Sequence, residues 1–238
     1  MSVVALIDHA VLHPTQTVAD LRTACDLCAS LEVASICVKP SMVPQAVEWM
    51  SGTPVPVSTV IGFPHGGTST ECKMRETEIA CVAGAQEVDM VIPLGQALGA
   101  QWSLVEDDIR AVVEVAGAAG AITKVIFETG LLPDDDIKIR LCQISERAGA
   151  AFVKTSTGFG FVKQSDGSLV STGATEHDIR LMREHCSERV QVKASGGIRT
   201  YEDAQRFAAL GATRLGTSGT QAIAAGEQGL AANSSGDY

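Results

Sequence analysis

Short apolar runs alternate along the chain with longer amphipathic segments. The recurring unit is an amphipathic helix, a turn of Gly and Ala, and an apolar strand, as in AGAQEVDMVI, AGAAFVKTS and LGATRLGTS. Strands are predicted near residues 4–8, 34–38, 56–61, 87–92, 123–128, 151–156, 190–194 and 213–217. Eight strands separated by helices, at about one unit per thirty residues, predict an α/β fold, a single-domain (β/α)8 TIM barrel. A doubly wound open sheet is the alternative.

Helix starts are marked by Ser or Thr with an acidic residue three positions later. The pairs are Thr17/Asp20, Ser103/Glu106, Thr175/Asp178 and Thr200/Asp203. In this pattern the hydroxyl and the carboxylate satisfy backbone N–H groups of the first helical turn. The polar, small-residue end EQGLAANSSGDY is typical of a mobile terminus. We therefore expect a barrel domain over residues 1–226 and a flexible tail over 227–238.

Composition narrows the class of protein. Of the 238 residues, 45% are hydrophobic but only 4% are aromatic, so Val, Ile, Leu and Ala must build the core. Such a core is typical of parallel sheets covered by helices. A formal charge of −10 argues against a nucleic acid or an anionic membrane as partner. No apolar run is long enough to cross a bilayer.

The cysteines bear on location and on metal binding. Seven scattered cysteines, with no secretory signal at the start, indicate a reducing, cytoplasmic location. Cys25 and Cys28 form a lone C-x-x-C pair with no second pair and no nearby His. We therefore expect no metal and no cofactor.

Charged residues within the predicted strands are expected to face the barrel lumen. Along a barrel strand, alternate side chains face the helices and the lumen. Apolar neighbours, such as Val88 and Met90, take the outward positions. The residues turned inward are then Cys37, Asp89, Lys124, Lys154 and Lys193, with Glu128 on the same face as Lys124. Barrel active sites lie at the carboxyl ends of the strands, so this cluster is the candidate site.

Two of these lysines suggest covalent chemistry. Lys154 and Lys193 fall on consecutive predicted strands, which lie about 4.8 Å apart. Repulsion between amines and loss of water both lower an amine's pKa, so we expect Lys154 to be uncharged near neutral pH. A neutral amine in a dry pocket attacks a carbonyl carbon and forms a Schiff base. The alternative is a buried lysine–aspartate network that only fixes the barrel; Lys124 fits that role best, and Cys37 alone also fits a core position.

Two small-residue loops indicate a phosphate site. ASGGIRT follows the seventh predicted strand and GTSGTQAI follows the eighth. Glycines let backbone N–H groups approach an anion, and helix N-termini attract negative charge. The loops after strands seven and eight are where barrels frequently hold phosphate. The candidate residues are Gly158, Gly196, Gly197, Ser218 and Gly219.

These segments also carry a family resemblance. EVDMVI, KVIFETGLL, FVKTSTGF, KASGGIRT and RLGTS, together with IDH, SICV and STVIGFPHG, span nearly the whole chain. They resemble the deoxyribose-phosphate aldolase family, whose members are TIM barrels and class I, metal-free aldolases. The resemblance implies reversible cleavage of 2-deoxy-D-ribose 5-phosphate, a small phosphorylated sugar, to D-glyceraldehyde 3-phosphate and acetaldehyde.

The resemblance also implies residue roles. By it, Lys154 forms the Schiff base, Lys193 perturbs that amine, and Asp89 belongs to the proton relay. Cys37, Lys124 and Asp8 match positions that line the substrate site. Barrels of this kind often self-associate, so a homodimer is expected.

Several positions depart from the family pattern. Ala10 stands where the family commonly has Thr, and His13 where it commonly has Lys. Residues 161–172 lengthen the segment after the sixth strand, which predicts a lid or an altered phosphate end. The terminal Tyr238 matches a tyrosine that folds over the site in some members, with a disordered end as the alternative.

Three other functions stay open at this point. The first is a lysine-dependent barrel aldolase for another phosphorylated sugar. The second is a phosphosugar isomerase or epimerase that uses Asp89 as base and forms no imine. The third is a barrel that binds phosphosugars without turnover.

Overall fold

Eight parallel strands close into a barrel. The computed structural model describes residues 2–230. The strands in this range are β1 (Ile7–Val11), β2 (Ser35–Val38), β3 (Val57–Ile61), β4 (Glu87–Val91), β5 (Ile122–Ile126), β6 (Phe152–Lys154), β7 (Phe161–Lys163), β8 (Leu169–Ser171), β9 (Gln191–Ser195) and β10 (Arg214–Thr217). All except β7 and β8 form the closed ring β1-β10-β9-β6-β5-β4-β3-β2. The predicted TIM barrel is confirmed.

Helices cover the outside of the barrel. Those within the described range are α1 (Val18–Leu31), α2 (Val43–Met50), α3 (Thr70–Val82), α4 (Leu94–Leu98), α5 (Trp102–Ala118), α6 (Asp135–Ala148), α7 (Glu176–Glu184), α8 (Tyr201–Ala209) and α9 (Thr220–Glu227). Thr17 and Thr200 form complete capping boxes, and the Thr175 hydroxyl caps α7. The cap predicted at Ser103 is wrong, because α5 already begins at Trp102. Between residues 2 and 230, no helix is both long and apolar enough to cross a bilayer.

The first strand begins later than predicted. Val4–Leu6 form a 3-10 turn, closed by a hydrogen bond from Leu6 N–H to the Val3 carbonyl, and extended backbone starts at Ile7. The turn takes up the residues that were assigned to the strand. β1 therefore runs from Ile7 to Val11, and the buried Asp8 lies near its amino end.

The strands separate two buried layers of different polarity. Outward-facing residues such as Ile36, Val88 and Val192 are fully buried under the helices, in the apolar core. The inward-facing residues of the same strands include charged groups that are equally buried. The apolar layer supplies most of the stabilisation from buried area, and the lumen is left for polar chemistry.

The stretch 161–172, expected only as a lengthened segment, is an antiparallel hairpin. β7 and β8 pair with Val162 opposite Val170. The turn between them includes Gly167 in the left-handed region, at φ +85°. At the base of the hairpin, the Thr172 N–H donates to the Gly160 carbonyl at 3.1 Å. The hairpin therefore rises directly from the loop that follows β6.

The last described helix passes the expected domain boundary. α9 ends at Glu227, so the boundary after residue 226 falls in its last turn. The Glu227 carboxylate accepts hydrogen bonds from Ser2 Oγ at 2.6 Å and Val3 N–H at 2.7 Å. Tyr238, with the rest of 231–238, lies outside the described residues.

Candidate active site

Three lysine amines converge on one carboxylate in the lumen. Asp89 Oδ1 accepts from Lys124 Nζ at 2.7 Å. Asp89 Oδ2 accepts from Lys154 Nζ and from Lys193 Nζ, each at 2.7 Å. Strand register produces this arrangement, because Asp89 is level with Lys124 and Lys154 is level with Lys193. The structure thus brings together the four charged residues that strand alternation turns inward.

Asp8 and Glu87 hold the far side of the cluster. Asp8 Oδ2 accepts from Lys193 Nζ at 2.5 Å, and Glu87 Oε2 lies 2.6 Å from Lys124 Nζ. Arg214 Nη1 bridges the two acids, at 2.5 Å from Asp8 Oδ1 and 3.0 Å from Glu87 Oε2. These side chains lie toward the amino ends of their strands and form the floor of the lumen.

Glu87 and Arg214 are absent from the sequence-based site. Glu87 could have been found from the sequence, because it lies two residues before Asp89. Side chains two residues apart on a strand face the same side, so both turn inward. Arg214 lies two residues before Gly216, whose backbone is level with Asp8. Asp8 is placed in the cluster by the resemblance and by the structure alike.

The two amines on Asp89 Oδ2 have opposite pKa shifts. Burial lowers the pKa of Lys154, and Lys193 lowers it further, although Asp89 opposes both. Burial also acts to lower the pKa of Lys193, but Asp8 and Asp89 outweigh it and raise that pKa. The two pKa values move in opposite directions because the Asp8 carboxylate contacts Lys193. Lys154 is therefore the amine that gives up its proton more readily.

The balance of charges in the lumen also indicates that Lys154 is the uncharged amine. The ion-paired cluster contains the carboxylates of Asp8, Glu87 and Asp89. It contains four basic groups, on Lys124, Lys154, Lys193 and Arg214. An unpaired charge is costly in a dry interior. With Lys154 uncharged, positive and negative groups match.

Asp89 remains ionised between its lysines. Burial alone would raise its pKa, but Lys124, Lys154 and Lys193 outweigh burial and hold the pKa well below the usual range. Burial raises the pKa of the Cys37 thiol, and Asp89 adds to that effect. Cys37 is therefore a neutral thiol on the lumen wall, level with Ala10 of β1.

The candidate phosphate loops lie on the active-site face. Gly158 and Gly197 adopt left-handed φ angles of +85° and +80°, with open space where a side chain would stand. Gly196 packs against Gly173, whose Cα lies 2.8 Å from the position of a Cβ on Gly196. Ser218 is exposed. The N–H of Gly219 donates to Thr217 Oγ1 at 2.9 Å, so it is already engaged.

Glu128 is a buried acid two residues after the end of β5. It adopts a left-handed φ of 56° and is almost fully buried. Its carboxylate accepts from the N–H of Thr157 at 3.2 Å and also from the Thr157 hydroxyl. Burial raises the pKa of Glu128 against the effect of these hydrogen bonds. Glu128 thereby fixes the start of the loop after β6.

Fold and site together define a barrel enzyme with amines in its catalytic lumen. The amines are buried inside the closed ring, and Lys154 is the last residue of β6, at the carboxyl ends of the strands where barrel enzymes carry out chemistry. Within residues 2–230, no three His, Cys, Asp or Glu side chains are grouped as a metal site.

The chain belongs to the DeoC/LacD family of aldolases, whose model matches residues 2–231. Deoxyribose-phosphate aldolase 1 of Oceanobacillus iheyensis is 46% identical over 229 residues, 96% of this chain and 98% of that protein. The deoxyribose-phosphate aldolase of Streptococcus gordonii is 45% identical over 221 residues, 93% of this chain and 94% of that protein. The tetrameric deoxyribose phosphate aldolase from Aeropyrum pernix matches with a TM-score of 0.83 at 29% identity, covering 93% of this chain and 88% of that one. The resemblance seen in the sequence motifs is confirmed.

Proposed function

We propose that this protein is a class I aldolase that reversibly cleaves 2-deoxy-D-ribose 5-phosphate to D-glyceraldehyde 3-phosphate and acetaldehyde. The observation that carries the proposal is the buried Lys154 amine, whose pKa is lowered while that of its neighbour Lys193 is raised. The two relatives that are 45% and 46% identical are both named deoxyribose-phosphate aldolases, which supports the choice of substrate.

Lys154 begins the reaction as a nucleophile. Its neutral Nζ attacks C1 of the open-chain aldehyde and gives a carbinolamine, which loses water to become a protonated imine. Lys193 keeps its proton and is positioned to donate it to the departing oxygen. The protonated imine then withdraws electrons from the C2–C3 bond.

Asp89 and Lys193 carry protons in the bond-breaking step. The C3 hydroxyl loses its proton to the Asp89–Lys193 pair as C2–C3 breaks, and the bonding electrons form an enamine on Lys154. D-glyceraldehyde 3-phosphate leaves, C2 takes up a proton, and water hydrolyses the imine to acetaldehyde and free Lys154. General acid–base help of this kind contributes roughly 10²–10⁴-fold to the rate.

The phosphate is proposed to bind at the glycine loops after β6, β9 and β10. Gly158 and Gly197 leave room for an anion to approach the backbone. Gly196, Ser218 and Gly219 complete the candidate set, the last at the N-terminus of α9. Cys37 and Lys124 are proposed to line the wall beside the sugar carbons. Asp8 is proposed to act on the reaction indirectly, through its hydrogen bond with Lys193.

Trapping with borohydride tests this function. With acetaldehyde present, reduction should attach an ethyl group to Lys154, located by peptide mass mapping, and abolish cleavage of deoxyribose 5-phosphate. Lys154→Met should neither be trapped nor cleave the sugar. Lys138→Met is the matched control, because Lys138 forms an ion pair with Asp178 outside the lumen. Turnover without an adduct at Lys154 would favour an isomerase or epimerase, and an adduct with turnover of a different sugar phosphate would change only the substrate.

We also propose a cytoplasmic location and assembly into a homodimer. All seven thiols are free, which supports a reducing compartment.

Ile79 and Val82 on α3 expose 56% and 88% of their surface on the outside of the barrel, which supports self-association. Sedimentation showing a monomer at micromolar concentration would refute the dimer.

A further inference from the structure

The proposed nucleophile is closed off from solvent in this structure. The Lys154 side chain exposes only 4% of its surface, and Asp89 is fully buried beside it. A five-carbon sugar phosphate is much larger than the gap that leaves 4% of this side chain exposed. Substrate can therefore reach Lys154 only after a group at the mouth of the barrel moves.

Phe159 is placed to be that group, because it crosses the mouth. It lies in the loop after β6, and its ring meets Phe63 from the loop after β3, with centroids 5.5 Å apart and planes at 80°. The same ring also meets His13 from the loop after β1, with centroids 6.4 Å apart. In the ring of strands, β3 and β1 each lie three strands away from β6, in opposite directions. A side chain that contacts both must extend over the lumen.

The backbone around Phe159 is suited to movement. Gly158 on one side has a φ of +85° and open space around it, so the chain can pivot there. Gly160 on the other side passes close to Glu128, with Glu128 Cδ 2.8 Å from where a Cβ would stand. The base of the segment is fixed, because Thr157 is held by Glu128. The Phe159 N–H donates to Thr157 Oγ1 of this base at 2.9 Å, so movement involves the arm 158–160 together with the hairpin to which it is hydrogen-bonded.

The hairpin is coupled to this arm. Ser171 Oγ donates to the Gly158 carbonyl at 3.1 Å, and the Thr172 N–H donates to the Gly160 carbonyl at 3.1 Å. The end of β8 therefore brackets the arm on both sides of Phe159. A displacement of the hairpin would carry the aromatic ring with it.

We propose that Phe159 is the gate and size filter of the site: its ring, seated on Phe63 and His13, closes the mouth above Lys154 and admits short aldehydes more readily than bulky ones. The proposal rests on the proposed function in one respect, that Lys154 is the amine which aldehydes must reach. It adds a specificity-determining residue and the movement that substrate entry requires.

Reductive methylation with formaldehyde and cyanoborohydride measures the gate without aldolase turnover. Peptide mass mapping gives the methylation rate of Lys154 relative to exposed Lys163 in the same sample. We expect Phe159→Ala to raise this ratio about tenfold, since two aromatic contacts are lost. Phe63→Ala removes the ring on which Phe159 packs and leaves residues 158–160 unchanged, so it should also raise the methylation ratio. Phe161→Ala is the matched control, because that ring is exposed on the hairpin, and it should leave the ratio unchanged.

The size filter is tested by trapping with two aldehydes. The rate with acetaldehyde divided by the rate with 3-phenylpropanal should be high in the wild type and should fall about tenfold in Phe159→Ala. Unchanged methylation in both Phe159→Ala and Phe63→Ala, or an unchanged aldehyde ratio, would overturn the gate. Absence of sugar-phosphate cleavage by the wild type would overturn the proposed function instead, and the methylation result would still decide the gate.

Discussion

Lys154 and Lys193 donate to the same oxygen of Asp89, yet their pKa values move in opposite directions. Strand alternation predicts that both face the lumen, but it does not show which of them loses its proton. That depends on Asp8, whose carboxylate reaches Lys193 from β1, across the β9–β10–β1 side of the barrel. Residues so distant in sequence become neighbours only when the ring of strands closes.

Removing the charge of Lys193 should make Lys154 harder to deprotonate. In Lys193→Met the repelling ammonium is gone and Asp89 is left with fewer cations, so both changes raise the pKa of Lys154. The acid limb of kcat/KM should move to higher pH by about one unit or more. Activity at pH 7 should fall by roughly 10²-fold or more, since the proton relay is also lost. The measurement is a pH profile of kcat/KM with deoxyribose 5-phosphate.

A structural role for Lys193 would lower activity without moving the acid limb. Lys138→Met controls for the loss of a buried ion pair, because Lys138 bonds Asp178 at 2.8 Å away from the lumen. It should keep the wild-type profile. An acid limb that stays in place in Lys193→Met would refute the electrostatic account of Lys154.

At the level of elements, the barrel strands are predictable and the hairpin is not. Barrel strands are buried on both sides, so their apolar runs stand out against the capped helices. In β7 and β8 the strands have only three residues and mostly exposed side chains, such as Phe161 and Leu169. Exposure removes the alternation on which strand prediction depends. The loop could be recognised as extra, but its conformation is set by hydrogen bonds to the arm at 158–160.

Gly160 is expected to be intolerant of even one methyl group. In Gly160→Ala the new Cβ would stand 2.8 Å from Glu128 Cδ, forcing the carboxylate away from Thr157. We expect a loss of about 1–3 kcal/mol in the free energy of unfolding, as for other overpacked sites. Urea unfolding measures it. Gly117→Ala in α5 is the control, because the new Cβ would meet no atom within 4 Å apart from the backbone of its own helix, and it should be neutral or stabilising by up to about 1 kcal/mol. Equal stability of the two variants would contradict the close packing of Glu128 against the arm.

At the scale of the whole molecule, the lumen charges tie six of the eight barrel strands together. Asp8 comes from β1, Glu87 and Asp89 from β4, and the basic groups from β5, β6, β9 and β10. Each carboxylate contacts basic groups from at least two other strands. The network therefore depends on closure of the barrel, and an unfolded chain has none of it.

This closure predicts a specific pH dependence of stability in Asp8→Asn. Burial alone would raise the pKa of Asp8, but Lys124, Lys193 and Arg214 hold it well below its usual range. A carboxylate with a depressed pKa stabilises the fold fully above its unfolded pKa of about 4, and the stabilisation declines as the pH falls further. Asp8→Asn should therefore lose about 3–5 kcal/mol at pH 7, the usual cost of breaking a buried ion pair.

Urea unfolding of wild type and variant between pH 7 and pH 3 checks this. The difference in free energy should stay constant down to about pH 4 and narrow below it, because only the unfolded wild-type chain takes up a proton at Asp8 there. The control is Asp26→Asn, which removes an exposed ion pair with Arg22 on α1 and should change stability at pH 7 by no more than about 0.5 kcal/mol. A difference for Asp8→Asn that widens below pH 4 would mean that the lumen cations do not hold Asp8 ionised, and the charge balance that leaves Lys154 neutral would fail with it.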